Sequence, residues 1–512
     1  MRKRFVYLHV TAFASGLVSL AVEMAASSLL QAHFGTATPV WATIIGLILL
    51  YLTAGYFIGG RWADRSPNPA TLYQIVAWAA FLVGLIPFLS YPVLQLAGLG
   101  FTTFNAFMLG GSFVTVLILF SVPVTLMGCI SPFVVRLAMA DVESAGRTAG
   151  HIYAISTAGS FLGAFLPVLL LVPLIGTRDT FVLLSLFLLL VALIGLAFFN
   201  RRRLLVYLWM PLVILLLALL LRGQPVKAAE GAIYETESTY NYIQVVERAD
   251  GCRYLLLNEG GVYHSVFCPD QLTTYGPWDY FLISSYFNPP PYTPDRVKSV
   301  AMIGLAGGTT ARQFTEVYGP LPIDGIEIDP QVVRVGREYF EMNQPNLNVV
   351  VADGRYALTR SEQRYSVIVL DAYRLPYIPS HLTTVEFFQV VREHLADDGV
   401  VTINVGRTPE DYRIVEAMVG TLEQVFPSTH VIDVYGSLNT VVVATVRPSQ
   451  AENLQANLAN LEEYPFLYKT TERAIKNLHP IEPGPVVFTD DRAAIELMTN
   501  ALVIEFVLRN IR

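Results

Sequence analysis

Long apolar runs fill the first part of the chain, and short apolar runs between polar turns fill the rest. The long runs are 5–30, 39–60, 71–97, 104–137, 149–175, 179–199 and 204–221. Each has about 18 residues or more, which is enough for a helix to cross roughly 30 Å of hydrocarbon. We therefore predict a transmembrane helical domain over residues 1–222, an α-helical membrane bundle of about seven transmembrane helices.

Beyond residue 222 the pattern changes to short β-type segments. Strands at 242–246 and 254–257 predict a small β-hairpin subdomain over residues 233–295. Over residues 296–512, strands and helical stretches alternate, which predicts an α/β Rossmann-like, methyltransferase-type domain with a mainly parallel sheet. The strands predicted for this domain are 300–303, 325–328, 348–351, 367–370, 400–405 and 440–444.

Charge divides the chain at the same boundary. Residues 1–222 hold 12 Lys and Arg against 5 Asp and Glu, whereas the remainder holds 22 against 36. The acidic remainder argues against nucleic acid as a partner, because phosphates require a basic surface. Most basic residues between the apolar runs fall on one side of the predicted bundle, which is typical of the cytoplasmic side of the cell (inner) membrane.

The membrane side of the C-terminal part stays open. With an odd number of spans, the loop charges place it outside the cytoplasm, whereas the supply of a nucleoside cofactor favours the cytoplasm. The chain has three cysteines, Cys129, Cys252 and Cys268, without a CxxC pair or the spacing of a metal site. Cys252 and Cys268 either form a disulfide in an oxidising compartment or are two unpaired thiols.

Acidic residues follow three of the predicted strands, and a glycine turn follows another. The segment 301–308 runs from a buried strand into a turn that begins at Gly304, and Glu327 follows 23 residues later. Asp353 with Gly354, and then Asp371, end the next two strands. Ligands of α/β sheets bind at the carboxyl ends of the strands, so we expect these carboxylates to meet in one nucleoside pocket. A carboxylate suits the ribose hydroxyls, and a second one suits an adenine amino group.

A wider set of motifs resembles one enzyme family. The segments that carry the resemblance are 238–245, 257–264, 303–308, 326–330, 353–354, 371–384 and 488–493, with Glu23 and 59–65 near the start. Together they resemble the spermidine synthase (polyamine aminopropyltransferase) family, in the bacterial membrane-fused, transporter-like form. The resemblance covers about residues 235–410 well.

The resemblance implies transfer of an aminopropyl group from decarboxylated S-adenosylmethionine, a co-substrate and not a permanent cofactor, to a small amine such as putrescine. Asp371 matches the general base of the family, and Tyr280 its acceptor-pocket tyrosine. The positions expected around the donor are Asn241, His264, Gly304, Gly307, Gly308, Glu327, Asp353 and Gly354. The family also implies a homodimer.

Two positions depart from the family pattern. Gly307 stands where the family has an Asp for the donor's ammonium group, and Arg374 stands where a second Asp usually binds the acceptor. Both changes weaken the case for an acceptor with two ammonium groups. Either other acids compensate, or Arg374 binds a carboxylate on the substrate. The candidate compensating acids are Asp270, Asp279, Asp490 and Asp491.

Two other functions stay open on the sequence. Gly307 leaves room for a methyltransferase that uses intact S-adenosylmethionine. Glu23 lies inside an apolar run and 59–65 resembles a transporter loop, which suggests a transporter or sensor whose soluble domain binds nucleoside or polyamine. Alternatively, Glu23 is a protonated side chain bonded to a neighbouring helix.

Overall fold

The computed structural model describes residues 2–34, 38–100, 110–139, 144–222, 227, 229–258, 262–374 and 377–510. The chain folds as two compact units. The first comprises residues 1–230 with 235–243 and 257–260, and the second comprises 231–234, 244–256 and 261–512.

The first unit is helical. Its helices are α1 Arg2–Phe34, α2 Thr38–Arg65, α3 Pro69–Gly100, α4 Ser112–Ala138, α5 Ala145–Leu166, α6 Val172–Phe199, α7 Arg201–Tyr207 and α8 Trp209–Leu220. A π-helical turn, Pro167–Leu171, joins α5 to α6. Within the described residues, six helical segments are long and apolar enough to cross a membrane, which is compatible with a multi-pass membrane protein.

The difference between six segments and the seven predicted spans lies around Gly176. One segment, Ala145–Phe199, contains 55 residues and covers both predicted spans 149–175 and 179–199. Gly176 interrupts it with a non-helical backbone, at φ 80° and ψ 165°. The beginning of the predicted span 104–137 lies outside the described residues. The number of seven spans therefore stays a prediction.

Small residues bring the helices of this unit close together. A Cβ added at Gly16 of α1 would lie 2.1 Å from the carbonyl oxygen of Ser156 in α5, and one at Gly159 would lie 2.1 Å from that of Phe13. Such contacts are typical of membrane helices, because lipid supplies no hydrophobic drive and backbones must approach for van der Waals packing.

Four strands form a small sheet in the order β1-β2-β3-β4. They are β1 Ala232–Glu237, β2 Tyr242–Glu247, β3 Arg253–Leu257 and β4 Tyr263–Phe267, and β3 and β4 are antiparallel. The two strands of the predicted hairpin, 242–246 and 254–257, are neighbours in it. A separate subdomain over 233–295 stays a prediction.

The large sheet of the second unit has seven strands in the order β10-β11-β9-β8-β5-β6-β7. They are β5 Val300–Ile303, β6 Ile323–Glu327, β7 Leu347–Val351, β8 Tyr365–Leu370, β9 Leu395–Gly406, β10 Ser428–Asp433 and β11 Asn439–Thr445. The five strands from β9 to β7 are parallel, while β11 pairs antiparallel with both of its neighbours. The α/β class and the mainly parallel sheet predicted from the sequence are therefore confirmed.

Helices cover both faces of this sheet. They are α9 Pro277–Leu282, α10 Thr309–Tyr318, α11 Pro330–Tyr339, α12 Gly354–Arg360, α13 Val385–Glu393, α14 Arg413–Leu422, α15 Glu452–Asn457, α16 Pro465–Lys476 and α17 Ile495–Asn510. Alternate residues of β5 enter two different apolar clusters: Ala301 and Ile303 one, Val300 and Met302 the other. This two-sided burial explains the continuous apolar runs of the central strands.

The chain changes direction across the sheet between β5 and β8. It runs from β5 outward through β6 and β7, and then returns to β8 on the other side. A crevice forms at such a switch point, outside the carboxyl ends of the two strands. Gly304 follows β5 with φ +88°, and a Cβ there would lie 2.5 Å from the carbonyl oxygen of Asp371, which follows β8. Only glycine lets these two turns approach so closely.

Candidate active site

A cavity of about 600 Å³ opens at this edge of the large sheet, within the second unit. Ala306 after β5, Asp371 after β8 and Asn404 near the end of β9 line its floor. Tyr254 and Tyr263 of the small sheet line one wall. A volume of this size accommodates a ligand of drug size, and the switch point is where such ligands bind in this fold class.

Asp371 points into the cavity from the end of β8. Its Oδ2 accepts a hydrogen bond from Trp278 Nε1 at 3.0 Å, and its Oδ1 accepts one from Asn404 Nδ2 at 2.9 Å. Burial raises the pKa of Asp371 from its ordinary value of 3.8 to about 6, although both hydrogen bonds lower it. The side chain is thus a carboxylate at neutral pH and lies close to its titration range.

The loop that carries Trp278 is held by a second carboxylate. Asp279 is fully buried and accepts hydrogen bonds from the backbone and hydroxyl of Thr274, and from Gln313. Arg473 adds an ion pair at 3.0 Å. These donors hold the carboxylate of Asp279, which thereby fixes the position of its neighbour Trp278. Asp279 itself does not line the cavity.

Glu327 ends β6 beside the glycine turn. Its Oε2 accepts a hydrogen bond from the backbone N–H of Ala306 at 2.9 Å, and its Oε1 accepts one from that of Asp329 at 3.1 Å. Burial raises its pKa to about 6. Its carboxylate therefore contacts the turn that lines the cavity, while the side chain itself stands behind the cavity wall.

Asp353 lies at the end of the neighbouring strand β7 and is the N-cap residue of α12. Its Oδ1 accepts from the N–H of Tyr356 at 3.0 Å, and its Oδ2 lies 2.8 Å from His381 Nε2. Burial alone would raise the pKa of Asp353, but these partners lower it below its usual range. Gly354, which follows, packs so closely that a Cβ would lie 2.3 Å from Ile303 Cγ2.

The three predicted acids therefore share one edge of the sheet, but only Asp371 lines the cavity. Glu327 and Asp353 belong to the two strands on the far side of β5. The structure agrees with the predicted edge of the sheet. It does not bring all three carboxylates into the lining of one cavity. Backbone N–H groups of the adjoining turns donate hydrogen bonds to the carboxylates of both Glu327 and Asp353.

The glycine turn packs against the small sheet. The N–H of Gly307 donates to Ser265 Oγ at 2.8 Å, and a Cβ at Gly307 would lie 2.9 Å from Ser265 Cβ. Gly308 has φ +86° and a Cβ there would lie 2.6 Å from Met342 Cγ. These contacts explain why no acidic side chain occupies position 307.

His264 of β4 also lines the cavity. Its Nε2 is buried, and it has no hydrogen-bond partner among the described residues. Burial lowers the pKa of His264 to about 4, so that its ring is neutral at pH 7. A neutral histidine whose buried ring nitrogen has no described partner thus forms part of the cavity wall.

Besides Glu327 and Asp353, other residues expected at the site do not line this cavity: Asn241, Tyr280, Arg374, Gly304, Gly307, Gly308 and Gly354. Asn241 belongs to the first unit, where its Oδ1 accepts from Asn258 Nδ2 at 3.0 Å, and it lines a separate small cavity. Tyr280 is buried in the apolar core, because it lies two residues from Trp278 on α9 and so faces the opposite side of that helix. Arg374 is exposed, and its backbone pairs with Tyr377.

Sequence reasoning missed Trp278 and Asn404, the two donors that hold Asp371. Asn404 lies near the carboxyl end of β9, directly beside β8, and the rule that selected the acids applies to it as well. Trp278 adjoins Tyr280 in one segment, and only the helix geometry distinguishes which of the two faces the cavity. Asp270 and Asp491, proposed as compensating acids, do not line it, and Asp490 pairs with Arg355.

Cys252 and Cys268 form a disulfide, with the sulfurs 2.05 Å apart. The bond joins the start of β3 to the end of β4, and both residues line the cavity. The structure thus favours the disulfide over two unpaired thiols. The third cysteine, Cys129, is free and buried.

Comparison with known proteins agrees with this architecture. Residues 288–443 match the family model for the spermine/spermidine synthase domain. A probable polyamine aminopropyl transferase from Bifidobacterium longum is 30% identical over 282 residues, which are 52% of this chain and 61% of that protein. A polyamine aminopropyltransferase from Vibrio vulnificus is 28% identical over 254 residues, 46% of this chain and 83% of that protein.

Among solved structures, a probable spermidine synthase from Corynebacterium glutamicum aligns with a TM-score of 0.39 at 19% identity. The alignment covers 48% of this chain and 95% of that one. The matched part of the chain spans about three fifths of the Bifidobacterium relative. Residues 288–443 thus match a spermine/spermidine synthase domain, which is a transferase domain, and about half of the chain is similar to polyamine aminopropyltransferases.

Proposed function

We propose that this protein is a membrane-integrated aminopropyltransferase. It transfers an aminopropyl group from decarboxylated S-adenosylmethionine to an amine and releases methylthioadenosine. The observation that carries the proposal is the partly buried carboxylate of Asp371, which faces a ligand-sized cavity at the switch point of the sheet. Relatives of the matched domain are named for this transfer.

The chemistry needs a neutral amine next to the donor's sulfonium. The amine nitrogen attacks the carbon bonded to sulfur, so a C–N bond forms while the C–S bond breaks and its electron pair stays on sulfur. The new ammonium then loses a proton. Free alkyl amines have pKa values near 10 and are protonated at pH 7. Asp371 binds the ammonium form, accepts a proton from it and holds the nitrogen in line.

The donor lies on the side of β5, β6 and β7 in this proposal. Gly304, Gly307 and Gly308 allow its close approach to the backbone, while Glu327 and Asp353, at the ends of β6 and β7, remain the candidates for its ribose and adenine. Gly307 stands where the family has an Asp that binds the donor's ammonium group, so this ammonium group needs another partner. The unpartnered Nε2 of His264 fills that role by accepting a hydrogen bond from the donor's ammonium.

Product analysis tests the proposal. The purified full chain in detergent or lipid nanodiscs is incubated with decarboxylated S-adenosylmethionine and a panel of amines, and methylthioadenosine is measured. Release that depends on the amine supports the proposal. No release with any amine, by protein shown to be folded, refutes it.

Gly307 favours one alternative, a methyltransferase that uses intact S-adenosylmethionine. Ser265 fills the space in which an acidic side chain would bind the ammonium of the decarboxylated donor. Titration calorimetry with the two donors separates the alternatives. A clear preference for the carboxylated donor supports methyl transfer, and a preference for the decarboxylated one supports aminopropyl transfer.

The remaining parts of the proposal concern organisation. We assign residues 1–222 to a helical domain in the cell (inner) membrane, 233–295 to a β subdomain and 296–512 to the transferase domain, in a homodimer with no nucleic-acid partner. Transport or sensing by the helical domain is the second alternative. Uptake of a polyamine by vesicles carrying only that domain would support it, and its absence beside an active soluble domain would count against it.

A further inference from the structure

We propose that the acceptor of this enzyme is an amine with one ammonium group and an apolar body, rather than a diamine. The inference rests on the proposed function and specifies its substrate class. It follows from the part of the cavity that lies beyond Asp371, on the side of β9 and β11, which we call the acceptor side.

Sheet order divides the cavity at Asp371. The glycine turn and the ends of β5, β6 and β7 lie on one side of β8, and the ends of β9 and the start of β11 lie on the other. Asn439 opposite Gly406 marks where β11 begins beside the end of β9. Because the donor's glycine turn occupies the first side, the second side is the one left for the acceptor.

Apolar side chains form most of the acceptor side. The residues are Ile378 in the segment that follows Asp371, Ile414 of α14, Leu438 before β11, and Ile495 and Leu502 of α17. Two contacts hold α17 in place: Tyr377 O–H donates to Asn500 Oδ1 at 2.6 Å, and Arg413 binds Glu505 with both terminal nitrogens. This wall is thus a fixed part of the cavity.

Polar groups on the acceptor side are already paired with one another. Asn404 donates to Asp371 and accepts from Asn439 Nδ2 at 2.8 Å. Arg407 lines the cavity and pairs with Asp433 at 3.0 Å, and Asp433 also accepts from Tyr412. This network orients Asp371, while its other carboxylate, Asp433, is held by Arg407 and Tyr412 and does not line the cavity.

Among the described residues, Asp371 and Asp250 are the acidic residues that line the cavity. Asp250 lies in the turn before β3, where its Oδ1 accepts from the N–H of Cys252, and so it belongs to the wall formed by the small sheet. On the acceptor side, one ammonium meets Asp371, while a second meets aliphatic carbon and Arg407, which is already paired with Asp433. Burying an unpaired ammonium costs free energy, whereas burying alkyl or aryl carbon gains it.

A matched pair of acceptors tests the inference. Butylamine and putrescine have the same four carbons and differ by one amino group, and phenethylamine adds an aromatic body. We expect kcat/KM for methylthioadenosine release to be at least about tenfold higher with butylamine than with putrescine, since an unpaired polar group costs 1–3 kcal/mol. Equal or better use of putrescine overturns the inference and leaves the proposed function intact. No release with any amine overturns the proposed function, and the inference with it.

A substitution on the acceptor side provides the second test. Leu438 lines the cavity and is 47% exposed, so the chain tolerates an acid there. Leu438→Asp should raise the putrescine to butylamine ratio of kcat/KM about tenfold, because a second carboxylate faces the second ammonium. Leu497→Asp is the control, since Leu497 lies on α17, is 71% exposed and does not line the cavity. An unchanged ratio in folded Leu438→Asp protein contradicts the inference.

Discussion

Asp371 is the residue on which the proposed chemistry depends. Burial holds its pKa near 6, and hydrogen bonds from Trp278 and Asn404 fix both of its oxygens. Asp371→Asn keeps the size of the side chain but removes its negative charge and its ability to accept a proton. We expect kcat to fall by about 10²–10⁴, the usual contribution of a positioned general base. Rates of methylthioadenosine release check this.

The matched control for that variant is Asp397→Asn. Asp397 is exposed and lies near the start of β9, at the opposite end of this strand from Asn404. Its activity should equal that of the wild type. Activity in Asp371→Asn within a few fold of the wild type would contradict the assignment of Asp371 as the base.

The pH dependence of the reaction follows from the same pKa. The base acts only when deprotonated, so kcat/KM should fall as the pH decreases through about 6, instead of through the ordinary value of 3.8. The sign is set by burial, which raises the pKa of an acid. A rate profile between pH 4 and 8 measures it. The same acid limb in the residual activity of Asp371→Asn would show that another group is responsible.

At the level of single residues, the sequence identifies Asp371 but not the side chains that donate hydrogen bonds to it. The end of a buried strand marks an acid at the ligand edge, which is local information. The direction of a side chain on a short helix such as α9, and the donors that neighbouring turns direct at Glu327 and Asp353, depend on tertiary packing. For this reason, sequence reasoning selects Tyr280 instead of Trp278 for the cavity. For the same reason, it places Glu327 and Asp353 in a cavity that they do not line.

Among the elements, the segment 488–493 fastens the loop that follows Asp371. Asp490 accepts two hydrogen bonds from Arg355, at 2.7 and 2.8 Å, and a third from Thr384. The guanidinium of Arg355 lowers the pKa of Asp490 to about 2, so this stabilisation is present above pH 3.8 and is lost as the pH falls through about 2.

Removal of this contact should loosen the loop without unfolding the domain. Because both partners are partly exposed, we expect Asp490→Ala to cost about 1 kcal/mol and to lower the melting temperature by about 2–4 °C. Asp491→Ala, an exposed neighbour, is the control and should melt like the wild type. Thermal melting followed by circular dichroism measures both. Equal melting temperatures for the two variants would contradict a structural role for Asp490.

Most strands of the large sheet could be predicted because they are buried on both faces and appear as continuous apolar runs. The segment 428–433 was missed, since Thr429 and His430 interrupt its apolar pattern. The reversal of β11 could not be predicted, because an apolar run does not carry the direction of a strand. The boundary at Gly176 shows the same limit, since glycine is tolerated within membrane helices as well as between them.

For the whole molecule, the disulfide bears on the membrane side of the C-terminal part, which the number of spans leaves open. Because disulfides persist in oxidising compartments, a Cys252–Cys268 bond supports the proposal that this part lies outside the cytoplasm. We expect alkylation of the denatured protein to label Cys252 and Cys268 only after reduction, while Cys129 is labelled without it. Mass spectrometry of the peptides distinguishes these results. Full labelling of Cys252 and Cys268 without reductant would contradict the disulfide and remove this support for an extracytoplasmic site.

One competition experiment tests the central claim, that the cavity at Asp371 transfers an aminopropyl group. The full chain is given decarboxylated and intact S-adenosylmethionine together with butylamine and putrescine, and both thio-products are measured in the same reaction by mass spectrometry. We expect methylthioadenosine and aminopropylated amine in equal amounts, and rates of both at least about a hundredfold lower with Asp371→Asn. S-adenosylhomocysteine with methylated amine, or neither product from folded protein, would contradict it.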